Sequence, residues 1–302
     1  MPSTIVFNQT HIVGSDNNTL IYKFPTSADF KNHEIAVESV SINYSWVNIS
    51  ASLNNNKIQY KWYGTSGLTT YDVTFEDGLY EIADLNARLQ YEMVKNGTYL
   101  INANSQNVYY AEFVVNPTRF AIQLNTYPVP NSSQYSATGQ NANFVGWSVP
   151  VANVLSGTAG WVGFHSVPFN PQVNMLANDF YKIIGFASDF SSSLGDGYNS
   201  INLSYLSTTA PAVQPNTNIY LALQNIQNPY ANPSTIIHNM IVTGSFGSQI
   251  LDKPSEFAFS DIIKGQYSQF RLQFLGADLK PLKILDPDIV VVLLIREKKM
   301  TS

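Results

Sequence analysis

The chain contains no cysteine. Disulfides, thiolate zinc sites and cysteine nucleophiles are therefore excluded, and folding does not depend on an oxidising compartment. Charge is scarce as well: Asp, Glu, Lys and Arg make up 12% of the 302 residues, about half the share of an average soluble domain. The net charge of −5 gives no general attraction to nucleic acid or to an anionic membrane surface. Long apolar runs are missing. The longest, Ile289 to Ile295, is far short of the roughly 20 residues that cross a bilayer as a helix, so no membrane association is expected. The start, Met1-Pro2-Ser3-Thr4, has no basic region followed by an apolar stretch, so no secretory signal is expected.

Local signatures of chemistry are absent too. The histidines are His11, His33, His165 and His238, and no two share the close spacing that sets a pair of imidazoles on one face for a metal. There is no phosphate-cradling G-x-x-x-x-G-K-[ST] loop and no G-x-S-x-G nucleophile elbow. Gly157, Gly160 and Gly163 form a G-x-x-G-x-x-G without lysine, set among Trp and Phe, and read as a tight turn in an aromatic loop. Asp286 and Asp288 flank Pro287 and are explained by turn formation. A structural Ca²⁺ is the alternative, although the 1-3-5 ligand spacing of an EF-hand loop is missing. No catalytic residue, cofactor or metal ligand is assigned. The chain does not read as an enzyme, and a β-sandwich hydrolase assembled from distant residues is the weakest of the readings.

What is present is uncharged polarity. Asn, Ser, Thr, Gln and Tyr carry the polar role, and aromatics reach 13% with 18 Tyr and 17 Phe. Such a surface is cheap to desolvate, and protein interfaces deplete Lys, Glu and Asp while enriching aromatics. The plainer explanation is that strands favour Tyr and Thr. Alternation with a period of two dominates: Ile58, Tyr60 and Trp62; Tyr71, Val73 and Phe75; Phe120, Ile122 and Leu124; Phe270, Leu272 and Phe274. Each reads as a strand with one buried face. The segment Ile35 to Ile49 reads as one long strand whose phase slips between Val37 and Val40 and again at Trp46-Val47, as bulges would cause. Ile289 to Ile295 reads as a strand in the middle of a sheet, buried on both faces. Only Ile82, Leu85, Leu89 and Met93 recur at helical spacing, with Glu81 and Asp84 early, Lys95 late and Asn96-Gly97 as a stop, predicting a helix over 82–95 that packs on a sheet.

Residues 127–216 contain only four charged side chains, Asp179, Lys182, Asp189 and Asp196. The aromatics interspersed there argue against a disordered linker. The segment reads as long ordered loops or an inserted β subdomain, with Phe180 to Phe186 as a short helix or strand. Trp147, Trp161 and Phe164 are its candidate subunit-interface residues, local core being the alternative. The expected organisation is one continuous domain: N-terminal strands and the helix over 1–126, the low-charge region over 127–216, and C-terminal strands over 217–302. The basic tail Arg296, Lys298 and Lys299 is a solvated end or a point of genome contact.

Two stretches resemble a known family. The first is Phe75-Glu76-Asp77-Gly78-Leu79-Tyr80-Glu81-Ile82-Ala83-Asp84-Leu85-Asn86. The second runs through Asn228-Pro229-Tyr230, Phe246-Gly247-Ser248, Gly265 to Phe274, Pro281-Leu282 and Asp286 to Ile295. They are similar to the minor capsid (penton) proteins of virophages and polinton-like elements, most clearly over residues 68–96 and 217–297. The resemblance implies an all-β fold, a single jelly-roll β-sandwich of two antiparallel sheets with one short helix and long loops or an insertion. It implies homopentamers at the five-fold vertices of an icosahedral virion, in contact with a separate double-jelly-roll major capsid protein, and synthesis in the host cytoplasm. It carries over no catalytic or cofactor residues. A carbohydrate- or receptor-binding β-sandwich, such as a lectin or fibre head touching a host glycan, is the alternative.

Overall fold

The structure is a computed structural model, and it describes residues 3–135, 142–195, 201–213 and 217–298. It is an all-β fold in antiparallel sheets, and the chain divides into two compact units. The first joins residues 1–47 to 214–302, and the second is 48–213. The inserted unit thus begins at Asn48 and not near residue 127, although its far end falls close to the expected 216. Periodicity explains the difference. Strands of both units alternate in the same way, and alternation reports that a face is buried, not which core buries it. The low charge of residues 127–216 belongs mostly to connections of the second unit, in which Gln172–Met175 and Leu203–Leu206 are the strands among the described residues.

The first unit is a sandwich of two sheets. One runs in the order Ser3–Phe7, Ile289–Glu297, His33–Asn43, Ser260–Ile262, Ile226–Gln227, with Gln249–Asp252 also paired to His33–Asn43. The other runs Ile236–Ile241, Asn218–Leu223, Gln266–Leu275, Thr19–Asp29, Ile12–Val13. Strands that follow one another in sequence, Thr19–Asp29 and His33–Asn43 or Asn218–Leu223 and Ile226–Gln227, lie in opposite sheets, so the chain wraps over the sandwich edge. Phe270, Leu272 and Phe274 are fully buried between exposed Arg271 and half-buried Gln273, as alternation requires. Rings of the two sheets meet where Phe7 approaches Tyr22 at 5.9 Å.

Two features of this unit refine the sequence reading. Pairing of Ile289–Glu297 with His33–Asn43 skips from Val292↔Ser39 to Leu293↔Val37, which leaves Glu38 as the bulge behind the first phase slip. The strand then ends at Asn43, and beyond it Trp46 makes only an isolated bridge to Ile284. Ile289–Glu297 does lie between two other strands, but only one face is sealed: Ile289, Val291, Leu293 and Ile295 are buried, whereas Val290, Val292 and Leu294 remain half-buried. A run of apolar residues cannot report by itself that one of its faces is left partly open.

Among its described residues the second unit holds two three-stranded sheets, a two-stranded ribbon of Leu100–Ile101 and Asn107–Val108, and two α-helices. One sheet is ordered Gln172–Met175, Lys57–Gly64, Gly67–Thr74, and the other Leu203–Leu206, Ala121–Thr126, Ala111–Asn116. Helix α1, Ile82–Lys95, buries Ile82, Leu85, Leu89 and Met93 and lies on the Ala111–Asn116 strand, where Asn86 Oδ1 accepts from the Phe113 N–H at 3.0 Å. At its start the Glu81 N–H donates to Asp84 at 2.9 Å. Phe180–Ile184 is helix α2, ended by Gly185 at φ 76°, which settles the helix-or-strand alternative. The core centres on Trp62, with Phe169 5.2 Å and Trp161 6.1 Å away, both edge-on. Ile122 and Leu124 are buried as expected, but Phe120 belongs to the preceding turn, exposed and at φ 48°. The Asn116-Pro117 turn signal outranks the alternation there.

Candidate interaction surface

The three aromatic candidates are brought together, and they sit inward. Trp161 approaches Phe164 at 5.0 Å, Phe164 stacks on Tyr135 at 4.5 Å, Tyr135 meets Phe144 at 5.7 Å, and Phe144 meets Trp147 at 5.0 Å. All of these rings except Phe144 pack, half-buried, against the core of the second unit. Trp147, Trp161 and Phe164 therefore belong to one half-buried aromatic layer over the core of the second unit.

What projects from that layer is a hairpin: its turn holds Gly157, as the tight-turn reading of the glycine stretch expects, but its exposed apolar tip was not singled out in the sequence. Pro150 O accepts from the Trp161 N–H at 2.9 Å, and Asn153 and Thr158 exchange both backbone hydrogen bonds at 3.1 Å. Asn153 Oδ1 accepts from the Leu155 and Ser156 N–H groups at 3.0 and 3.3 Å, and the Ser156 and Thr158 hydroxyls are 2.9 Å apart. Gly157, at φ 66°, supplies the left-handed residue the turn needs. The base is fixed where the Ala159 N–H donates to Lys95 O at 2.8 Å, and where Gly97 passes so close that a Cβ on it would lie 2.0 Å from Gly160 O. At the tip Val154 is 94% and Leu155 100% exposed, and Val151, on the arm before the Asn153–Thr158 bridge, is exposed too. The readable signal was the turn signature Asn153-x-x-Ser156-Gly157 with two apolar residues at its centre, where turns are ordinarily polar.

The first unit carries a cavity of about 1050 Å³ at one end of its sandwich. Ile5 and Leu294 line it from one sheet, Phe24 from the other, and Phe30, Phe257 and Phe259 from connecting segments. His33, Arg296, Glu297 and Lys298 line it as well. Arg296 bonds Glu34 at 2.6 Å and lies 3.5 Å over the Phe259 ring, and Lys298 pairs with Asp261 at 2.5 Å. Two residues of the basic tail are thus engaged in ion pairs, and Lys299 lies outside the described residues.

The remaining polar candidates have structural partners. Asp286 accepts from Asn43 Nδ2 at 2.8 Å and from the Asp288 N–H at 2.9 Å, the turn geometry expected of an Asp-Pro-Asp sequence. His11 accepts from the Asn8 N–H at 3.1 Å, His33 lies 3.0 Å from Lys31 O, His165 stacks on Tyr63 at 4.3 Å, and His238 contacts Asp252. Among the described residues no three His, Asp or Glu side chains converge as metal ligands, and no helix is long and apolar enough to cross a membrane. No protein-family model matches the chain, and no curated protein is similar to it in sequence. Among solved structures, the chain aligns to the crystal structure of selenomethionine-labelled mavirus penton protein over 99% of each chain, at 12% identity and a TM-score of 0.40.

Proposed function

We propose that the chain is a structural subunit of an icosahedral virus shell, a minor capsid protein of penton type that acts by assembly and not by turnover. The observation that carries this reading is the uncharged apolar tip of Val154 and Leu155, held outward by a fixed turn. Contiguous exposed apolar groups on ordered elements mark contact surfaces, because a monomer gains nothing by keeping them in water. Scarce charge lowers the desolvation cost of such contacts. The sequence resemblance supports the same reading, and so does the first unit, whose strands alternate between two sheets as a jelly roll would require. On this reading five copies close a ring through heterologous contacts, flank to opposite flank, and the ring meets the double-jelly-roll major capsid protein at each vertex of the virion.

The test is to image particles formed from the chain and its shell protein. Five-fold density of this subunit at the vertices is expected, and shells that close with none of it bound reject the role. A second reading has its own observation. The Tyr230 ring is 98% exposed, with its N–H bonded to Asn228 Oδ1 at 3.1 Å, an aromatic face among amides that suits sugar stacking. Retention on a glycan array that Tyr230→Ala abolishes supports it, and an array without signal removes it.

A further inference from the structure

On the outer face of the sheet that holds Gln266–Leu275, a recess of about 220 Å³ is lined by Ala222, Gln224, Thr235, Arg271 and Gln273. We infer that this recess binds an acidic sugar, a single ring whose carboxylate lies on the Arg271 guanidinium and whose hydroxyls meet the surrounding amides. The inference goes beyond the assembly reading and does not rest on it.

Three observations lead to that ligand. The first is an unanswered charge. Phe270, Leu272 and Phe274 face the core, so Arg271 and Gln273 stand on the opposite face. Arg88 and Arg296 each hold a carboxylate, that of Glu92 and of Glu34. Among the described residues Arg271 makes no ion pair. Residues 197–251 contain no Asp, Glu, Lys or Arg, so the segment that carries Ala222, Gln224 and Thr235 brings no acid to the recess. The five strands of the sheet hold one acid, Asp29, at the far end of its strand, where it accepts from the Lys31 N–H at 3.0 Å.

The second is a further cation on the same face. Ile21 stands opposite Arg271 and Lys23 opposite Gln269, which makes Lys23 the diagonal neighbour of Arg271, about 7–8 Å away along the sheet. Lys23 is exposed and also makes no ion pair among the described residues. Two like charges with no acid between them repel, and an anion beside them offsets that repulsion.

The third is the rest of the lining. A guanidinium fork matches a carboxylate with two parallel hydrogen bonds. Around it Gln224 and Gln273 offer amides, which both donate and accept, and Thr235 a hydroxyl, the set that sugar hydroxyls require. Ala222 is the one wholly apolar side chain of the lining, so a fatty or aromatic ligand has nothing to bury against. A recess of about 220 Å³ falls below the roughly 300–1,000 Å³ of drug-sized sites and admits one ring, not a chain. Its walls are tied by backbone bonds, from the Gln224 N–H to Arg271 O at 3.0 Å and from the Leu223 N–H to Thr235 O at 2.8 Å. The site is therefore formed before the ligand arrives, and binding has little ordering cost.

The test is saturation-transfer NMR on the full-length chain, with N-acetylneuraminic acid and glucuronic acid as probes and glucose as the neutral control. Transfer to at least one of the acids is expected, with at least ten-fold less to glucose. Arg271→Gln should abolish it and Gln224→Ala should weaken it several-fold. Neither variant should change the melting temperature, since both side chains are exposed and Arg271 holds no ion pair. Tyr230 does not line the recess, so Tyr230→Ala should leave the signal intact. Absence of transfer to both acids overturns the inference, as does equal transfer to glucose or a signal that survives Arg271→Gln. Loss of the signal in Tyr230→Ala alone overturns it in favour of the exposed ring. Equal transfer to N-acetyl-aspartate overturns it in favour of an acidic peptide, and full displacement of the sugar by equimolar inorganic phosphate in favour of a bare anion. None of these outcomes bears on the assembly reading, which the mass of the particle decides.

Discussion

In the first unit the backbone is satisfied mainly by sheet ladders. The His33–Asn43 strand alone pairs with three others, and among the described residues the buried polar side chains are Thr19, Ser45 and Ser260. The second unit has shorter strands and longer connections, and among the described residues buries nine: Asn48, Ser50, Asn55, Glu92, Thr98, Thr126, Asn131, Asn170 and Ser192. Four are asparagines, and each bonds loop backbone. Asn48 Nδ2 donates to Tyr80 O at 2.8 Å and Val213 O at 2.6 Å while its Oδ1 accepts from the Tyr80 N–H at 2.9 Å. Asn55 joins Ser50 to Asn48, Asn131 joins Gln134 to Ser166, and Asn170 donates to Thr126 O and Ile201 O. An amide offers both donors and an acceptor without a charge, so it can replace a ladder inside a loop-rich core. The low charge and the abundance of Asn thus have a structural cause in the second unit, beside any role at interfaces.

The comparison breaks most readily at Asn48, which ties the first residue of the second unit to its last, Val213. Asn48→Asp would set a carboxylate against two carbonyl oxygens in a buried site. A loss of about 4 kcal/mol or more is expected, with the second unit unfolding ahead of the first in a denaturant titration. A single unshifted transition would show that the amide is dispensable. The counterpart in the first unit is Phe270→Ala, which empties a core position between ladders and should cost about 3–4 kcal/mol, read as a shift of the first unit's transition with the second unit's unchanged.

Alkali should separate the units through tyrosine. Burial raises Tyr60, Tyr71 and Tyr110 above the ordinary phenol range, and burial followed by the 2.5 Å bond to Glu112 pushes Tyr127 up to about 12. A phenol whose folded pKa is raised ionises first in the unfolded chain. Stability is therefore full below about pH 10 and falls as pH rises toward 12. Denaturant midpoints for the second unit between pH 9 and 11.5 should decline, and less steeply in Tyr127→Phe. A level profile would contradict the assignment. The smallest effect is expected at His238, whose partner Asp252 lies on a strand of the opposite sheet. The pair is partly exposed, so His238→Ala should cost about 0.5–1 kcal/mol, and a larger loss would show that this edge contact holds the sandwich closed.

Much of the first unit was legible because long strands declare themselves by alternation. Phe270 to Phe274 and Ile289 to Ile295 are strands as expected, and the phase slip after Val37 reported the bulge at Glu38. Helix α1 matches its reading at both ends, since Glu81, Asp84 and Asn96-Gly97 are local signals with local causes. The insertion boundary at Asn48 was hidden because its decisive bonds join residues 165 positions apart. The hairpin tip was hidden for the opposite reason: large aromatics drew attention to Trp147, Trp161 and Phe164, whereas those rings pack inward and leave Val154 and Leu155 outside.

The most direct test of the proposed assembly role is the mass of the particle in solution, by mass photometry of the purified chain alone and mixed with a candidate double-jelly-roll capsid protein. The account predicts a discrete species at five times the 33.5 kDa of one chain. A lone 33.5 kDa species under both conditions would contradict it.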